Sequence, residues 1–203
     1  MTELFPLNGY DGMPERWADL AKEATDIRWV IDGLMPEGCQ FILAGCPKVR
    51  KTWVAMHLAY CVAQGKPFFG MPTFRRPVLY TFLEDGRVRV ARRMRDLGIT
   101  PGNGLETSAI QANFYMAGYD KSLELLRSSG PMLWIVDPLI RVVSEQNLDE
   151  NSSTDISKFF AGHRQLLHDT GTTMLLPHHF RKAGDMMRGS GAIMSEADGY
   201  WDL

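Results

Sequence analysis

The runs CQFILAG (39–45), PVLYTFLE (77–84), NFYMAG (113–118), PMLWIVD (131–137), TTMLLPH (172–178) and DGYWDL (198–203) are short and almost continuously apolar. Stretches of helical character separate them, at about 51–64, 87–97, 120–129 and 154–169. Strands that alternate with helices pair in parallel, because each connection must cross back over the sheet. Strands without an in–out polar alternation are covered on both faces. The expected fold is therefore α/β, a mostly parallel twisted sheet flanked by helices on both faces. Ligands of such sheets collect at the carboxyl ends of the strands. In this chain those ends carry the residues capable of chemistry: Gly45 and the loop behind it, Glu84, Asp137, His178 and His179.

Composition narrows the class. The chain has 203 residues, 45% hydrophobic and 23% charged, which suits one globular domain with a real core. Its net charge of −2 gives no overall footprint for nucleic acid, so any such contact needs a local basic patch. The opening MTELFPLNGYDGMPE has neither a basic segment nor an apolar core, so no secretory leader is expected. No apolar run approaches a membrane span. Cys39, Cys46 and Cys61 lack metal spacing and cannot all pair, which points to reduced thiols and a cytoplasmic setting. Residues 1–27 form an N-terminal extension, irregular except for a helix over PERWADLAKEA (14–24) with Pro14 in its first turn. Residues 28–203 form the core. Two longer polar loops stand out: SEQNLDENSS (144–153), expected to be mobile, and FRKAGDMMRGS (180–190), carrying Arg181, Lys182 and Arg188.

GCPKVRKT (45–52) follows the first strand and opens a helix. A phosphate cradle needs this arrangement: a tight turn of backbone N–H groups and a helix N-terminus facing the anion. The candidate loop comprises Gly45, Cys46, Pro47, Lys48, Val49, Arg50, Lys51, Thr52 and Trp53. Lys51 would reach the β- and γ-phosphates, and Thr52 would ligate Mg²⁺. The other reading is a plain βα turn containing Lys-Thr. WIVD (134–137) ends a buried strand in Asp137, which places a carboxylate beside a metal or caps the turn before Pro138. Glu84 and Asp85 end another strand. A carboxylate there can orient and deprotonate an attacking water; acids starting a helix are the alternative, and Asp85 suits it better than Glu84. His178 or His179 could sense the terminal phosphate, one of the pair being structural, and no neighbouring Cys or His completes a zinc set. Arg89, Arg92 and Arg93 form a positive stripe on the helix over 87–97, read as a solvated or subunit-facing surface ahead of a nucleic-acid contact.

Taken in order, WVIDGLMPEGCQFILAGCPKVRKTWVAMHLA, PVLYTFLEDG, LWIVDPL, LLPHHFRKA and RGSGA resemble RecA-like P-loop ATPases of the RepA hexameric-helicase type, over residues 28–203. The resemblance implies ATP and Mg²⁺ as ligands, a ring-forming homo-oligomer (a hexamer), single-stranded DNA as partner, and DNA replication as the setting. It makes Lys51 and Thr52 the phosphate and metal ligands, Glu84 the catalytic base, Asp137 the Walker B acid, and His179 or His178 the sensor. Arg181, Lys182 and Arg188 would lie in the loop that such proteins point into the ring channel.

Two departures qualify this. Arg50 stands where family members carry glycine; if that position needs a left-handed backbone, a side chain costs about 1–2 kcal/mol. Its bulk also lies toward the phosphate path. Weakened binding and much slower hydrolysis are expected. Tyr200 stands about where these helicases place an arginine finger. The competing reading is a non-catalytic RecA-like module, DNA-associated or regulatory, with a degenerate nucleotide site. A small-molecule kinase fits less well, because no second substrate constellation is present.

Overall fold

The structure is a computed structural model that describes residues 27–99, 114–116, 118–128, 132–179 and 191–203. The helix expected over 14–24 and the loop 180–190, with Arg181, Lys182 and Arg188, lie outside the described residues.

Strands β1 (Trp29–Ile31) and β2 (Met35–Pro36) pair antiparallel as a small ribbon. The main elements follow: β3 (Gln40–Ala44), α1 (Lys51–Gln64), β4 (Val78–Phe82), α2 (Arg87–Asp96), β5 (Phe114–Met116), α3 (Tyr119–Ser128), β6 (Leu133–Asp137), α4 (Leu139–Glu145), α5 (Ser153–Thr170), β7 (Thr173–Pro177), α6 (Ala192–Glu196) and β8 (Gly199–Asp202). Six strands form one sheet in the order β5-β4-β6-β7-β3-β8, and every pairing in it is parallel. The register sets Leu43 opposite Pro177 and Phe82 opposite Asp137. The strands therefore finish on one edge.

Residues along a strand face alternate sides, and the two cores follow that period. Phe41, Leu43, Tyr80, Leu133, Ile135 and Leu175 pack with Ala55, Met56 and Ala59 of α1, and Met94 of α2 packs against them. Ile42, Ala44, Trp134, Val136, Met174 and Leu176 pack with residues of α3, α4, α5 and α6. Asp137 continues the Leu133–Ile135 series and so falls on the α1 side, which decides where the site forms.

Differences from the sequence reading are local. Residues 144–153 were expected to be a mobile polar loop. Instead Ser144 and Glu145 complete α4, and Leu148 N–H closes the turn on Val143 O at 3.1 Å. Glu150 is buried, and Ser152 caps α5 by accepting from Asp155 N–H at 3.2 Å. The β1–β2 ribbon was not anticipated; Arg76 holds it, donating to Trp29 O at 2.7 Å and pairing with Glu37.

The edge strand β8 packs without tolerance at one point. A methyl group on Gly199 would sit 2.3 Å from the ring of Phe41, itself buried against Trp201 at 5.9 Å between centroids. Gly199→Ala is expected to destabilise the fold by about 1–3 kcal/mol through overpacking, measured as a lower urea midpoint. An unchanged midpoint would show that Phe41 has room to move.

Candidate functional site

The loop between β3 and α1 turns sharply enough to exclude side chains in one place and strain them in another. A Cβ on Gly45 would meet Leu203 O at 2.9 Å and Val49 Cγ2 at 3.0 Å. Lys48 and Arg50 both adopt left-handed backbone, with φ of 72° and 67°. Arg50 is the N-cap of α1 and provides no side-chain cap. The N–H groups of Lys51 and Thr52 open the helix and, as in any first turn, have no carbonyl one turn behind them. They supply part of an anion cradle. The position before Lys51 does take the left-handed conformation that glycine adopts freely, so the strain expected of Arg50 is present.

Lys51 is buried, and its Nζ donates to Gly45 O and Cys46 O, each at 2.8 Å. Burial lowers its pKa, while the neighbouring Asp137 carboxylate works against that. Asp137 is 8% exposed. It accepts a hydrogen bond from Tyr80 Oη at 3.0 Å, and the Thr52 hydroxyl lies near enough to favour its ionised form. Burial raises its pKa from 3.8 to about 6; Thr52 and Tyr80 oppose the rise, and Arg93 also favours the ionised form. Tyr80 is fully buried on β4, and burial holds its phenol far from ionisation, so it acts as a hydrogen-bond donor. Nothing in the sequence pattern singled Tyr80 out: in a buried strand it reads as core.

These groups face a cleft of about 340 Å³ lined by Lys48, Arg50, Lys51, Thr52, Trp53, Glu84, Asp85, Arg89, Arg93, Asp137, Pro138, Pro177 and His179. Lys51, Thr52, Glu84, Asp137 and His179, each singled out from sequence, therefore meet in one place. Glu84 is exposed on the cleft wall. His178 is 1% exposed and is not among the lining residues, whereas His179 is half-buried and is one of them. Cys46, Pro47 and Val49 belong to the loop without lining the cleft. The arginine stripe divides: Arg89 and Arg93 line the cleft, and Arg92 is exposed elsewhere. The available signal was Asp85, four and eight residues before them, which puts all three on one helical face.

A family model described as an AAA domain matches residues 11–185. The chain belongs to the AAA domain family. No curated protein matches the sequence. Among solved structures, this AAA domain is similar to a KaiC-like protein from the hyperthermophilic archaeon Pyrococcus horikoshii. Identity is 17%, the TM-score is 0.59, and 88% of this chain and 81% of that chain are covered. That likeness concerns the fold. Family and fold together support the architecture of a RecA-like P-loop ATPase for this AAA domain. Among the described residues no helix is long and apolar enough to cross a membrane.

Magnesium is the metal implied by this family, and the donor set suits it. A hydroxyl and a carboxylate, Thr52 and Asp137, line the same cleft, the hydroxyl near enough to favour the ionised carboxylate. Among the described residues no cluster of three or more His, Cys, Asp or Glu could build an all-protein cage. Magnesium is commonly held by one or two such protein ligands together with substrate phosphates.

The raised pKa of Asp137 is a stability statement. The folded state binds its proton more tightly than the unfolded chain, so stability is lost as pH rises from about 4 through 6. Asp137→Asn removes that loss. The variant is expected to be more stable than the parent by about 2–3 kcal/mol at pH 7.5, with the gain fading toward pH 4. Denaturant melts across that range test this; a pH-independent difference would contradict it.

Proposed function

We propose that this AAA domain binds ATP with Mg²⁺ in the cleft at the strand ends and hydrolyses it slowly. The observation that carries the reading is the convergence of Lys51, Thr52, Asp137 and Glu84 on that single cleft. Lys51 would leave the carbonyls of Gly45 and Cys46 for the β- and γ-phosphates. Thr52 and Asp137 would hold Mg²⁺, which when bound neutralises phosphate charge. Glu84 would orient a water and accept its proton. The water oxygen bonds to the terminal phosphorus while the bond to the bridging oxygen breaks, and that electron pair leaves with ADP. His179 would sense the terminal phosphate, and the strand end carrying His178 and His179 would pass the difference to the loop behind it.

The ordered motifs support the finer placement among RepA-type helicases. In that setting the protein forms a homo-oligomer, engages single-stranded DNA through Arg181, Lys182 and Arg188, and serves DNA replication. Salt dependence of DNA binding would report those phosphate contacts.

Arg50 is the reason to expect slow turnover. Its left-handed backbone costs about 1–2 kcal/mol, and its side chain stands at the cleft. That strain, with Lys51 engaged by its own loop, also supports the second reading, a regulatory module that binds nucleotide poorly. Titration with a fluorescent ATP analogue, with and without Mg²⁺, separates the two: Mg²⁺-dependent saturation supports the ATP site, and no binding supports the module. Arg50→Gly is expected to tighten binding by about tenfold and to raise ATPase turnover. Equal rates for parent and variant would contradict the role given to Arg50.

A further inference from the structure

The wall facing the phosphate loop belongs to α2, which starts one residue after Asp85-Gly86 with Arg89 and Val90 N–H donating to Gly86 O. Arg89 and Arg93 lie one turn apart and therefore share a face. Each takes its own oxygen of the same carboxylate: Arg89 pairs with Asp85 Oδ1 at 2.9 Å, and Arg93 with Asp85 Oδ2. Their surroundings differ. The Arg89 side chain is 67% exposed, at the rim, whereas that of Arg93 is 22% exposed and sits over a carboxylate 11% exposed. The positive charge of Arg93 reaches inward to Asp137, where it favours ionisation.

The charge balance of the cleft suits a polyanion. Five cations line it (Lys48, Arg50, Lys51, Arg89, Arg93) against three acids (Glu84, Asp85, Asp137), an excess of two positive charges. Asp85 alone faces two guanidinium groups, so one of them can leave without stranding the carboxylate. A planar guanidinium that exchanges a carboxylate for a phosphate keeps its paired geometry. Meanwhile β8 presents Tyr200, half exposed, at about the place where the resemblance puts the arginine that one subunit lends to its neighbour.

We propose that Arg93 is a phosphate ligand acting within its own chain. When ATP binds, its guanidinium passes from Asp85 to the terminal phosphate while Arg89 keeps Asp85 neutralised. The charge that an arginine finger brings from a second subunit is thus stored in the same cleft, latched by Asp85. This inference rests on the ATP site proposed above.

The test compares ADP with a non-hydrolysable ATP analogue, each with Mg²⁺, by calorimetric titration of the full chain. Arg93→Ala is expected to weaken the analogue by about tenfold or more and to leave ADP within about twofold, because ADP lacks the phosphate concerned. Arg93→Lys, which keeps charge but loses the fork, should fall between, and serves also if the alanine variant does not fold. Asp85→Asn, which opens the latch, should leave analogue affinity equal or higher. Equal losses for both nucleotides in the Arg93 variants, or a loss in Asp85→Asn as large as that in Arg93→Ala, would make the pair a structural brace and overturn the proposal. Parent protein that binds neither nucleotide would instead remove the ATP site itself, and this inference with it.

Discussion

The approach of the Thr52 hydroxyl to the Asp137 carboxylate, close enough to favour its ionised form, brings the first turn of α1 to the end of β6, two segments far apart in the chain. It exists because three simpler constraints coincide. A parallel sheet brings every strand to its carboxyl end on one edge. The period of two places Asp137 on the same side as Leu133 and Ile135, which is the side that α1 covers. The turn at Gly45, too tight for a side chain, returns the chain so that α1 begins directly over that edge. Remove any one of these and the carboxylate would face a different helix or open solvent.

The same geometry explains why the site is costly to the fold. A carboxylate 8% exposed is held with its pKa raised by burial, and a lysine 6% exposed lies beside it with its pKa lowered by burial. Two non-glycine residues of the intervening loop take left-handed backbone. Strain and desolvation concentrated at one edge of an otherwise well-packed sheet mark a place shaped for something other than stability. Arg50 belongs to this pattern: its conformation is the one glycine would hold without strain, and its charge points the loop toward anions all the same.

The sheet was legible in the sequence because apolar runs and turn residues are governed by burial and backbone freedom, which act locally. Helix α1 was read with its observed limits, 51–64. The small ribbon at 29–36 was not legible, since a three-residue and a two-residue strand leave no pattern, and Arg76 fixes it by a contact to Trp29 across 47 residues. Helix α4 was not anticipated behind Pro138, and its last two residues, Ser144 and Glu145, were read as the start of the polar loop 144–153. Within the site, motif and strand-end positions found Lys51, Thr52, Glu84, Asp137 and His179, and favoured His179 over His178 only slightly. Burial separates them: His178 is enclosed, and His179 lines the cleft. Tyr80 and Arg93 were misjudged for a shared reason. Each has an ordinary local explanation, core aromatic or surface charge, and only the packing of β4, α2 and β6 turns both toward Asp137.

All of this comes down to where a triphosphate sits. A crystal structure of the chain grown with Mg²⁺ and a non-hydrolysable ATP analogue tests it most directly. The account predicts phosphates wrapped by residues 45–52, with the metal between Thr52 and Asp137 and the terminal phosphate facing Glu84. Nucleotide bound at another surface, with Lys51 still on the carbonyls of Gly45 and Cys46, would contradict it.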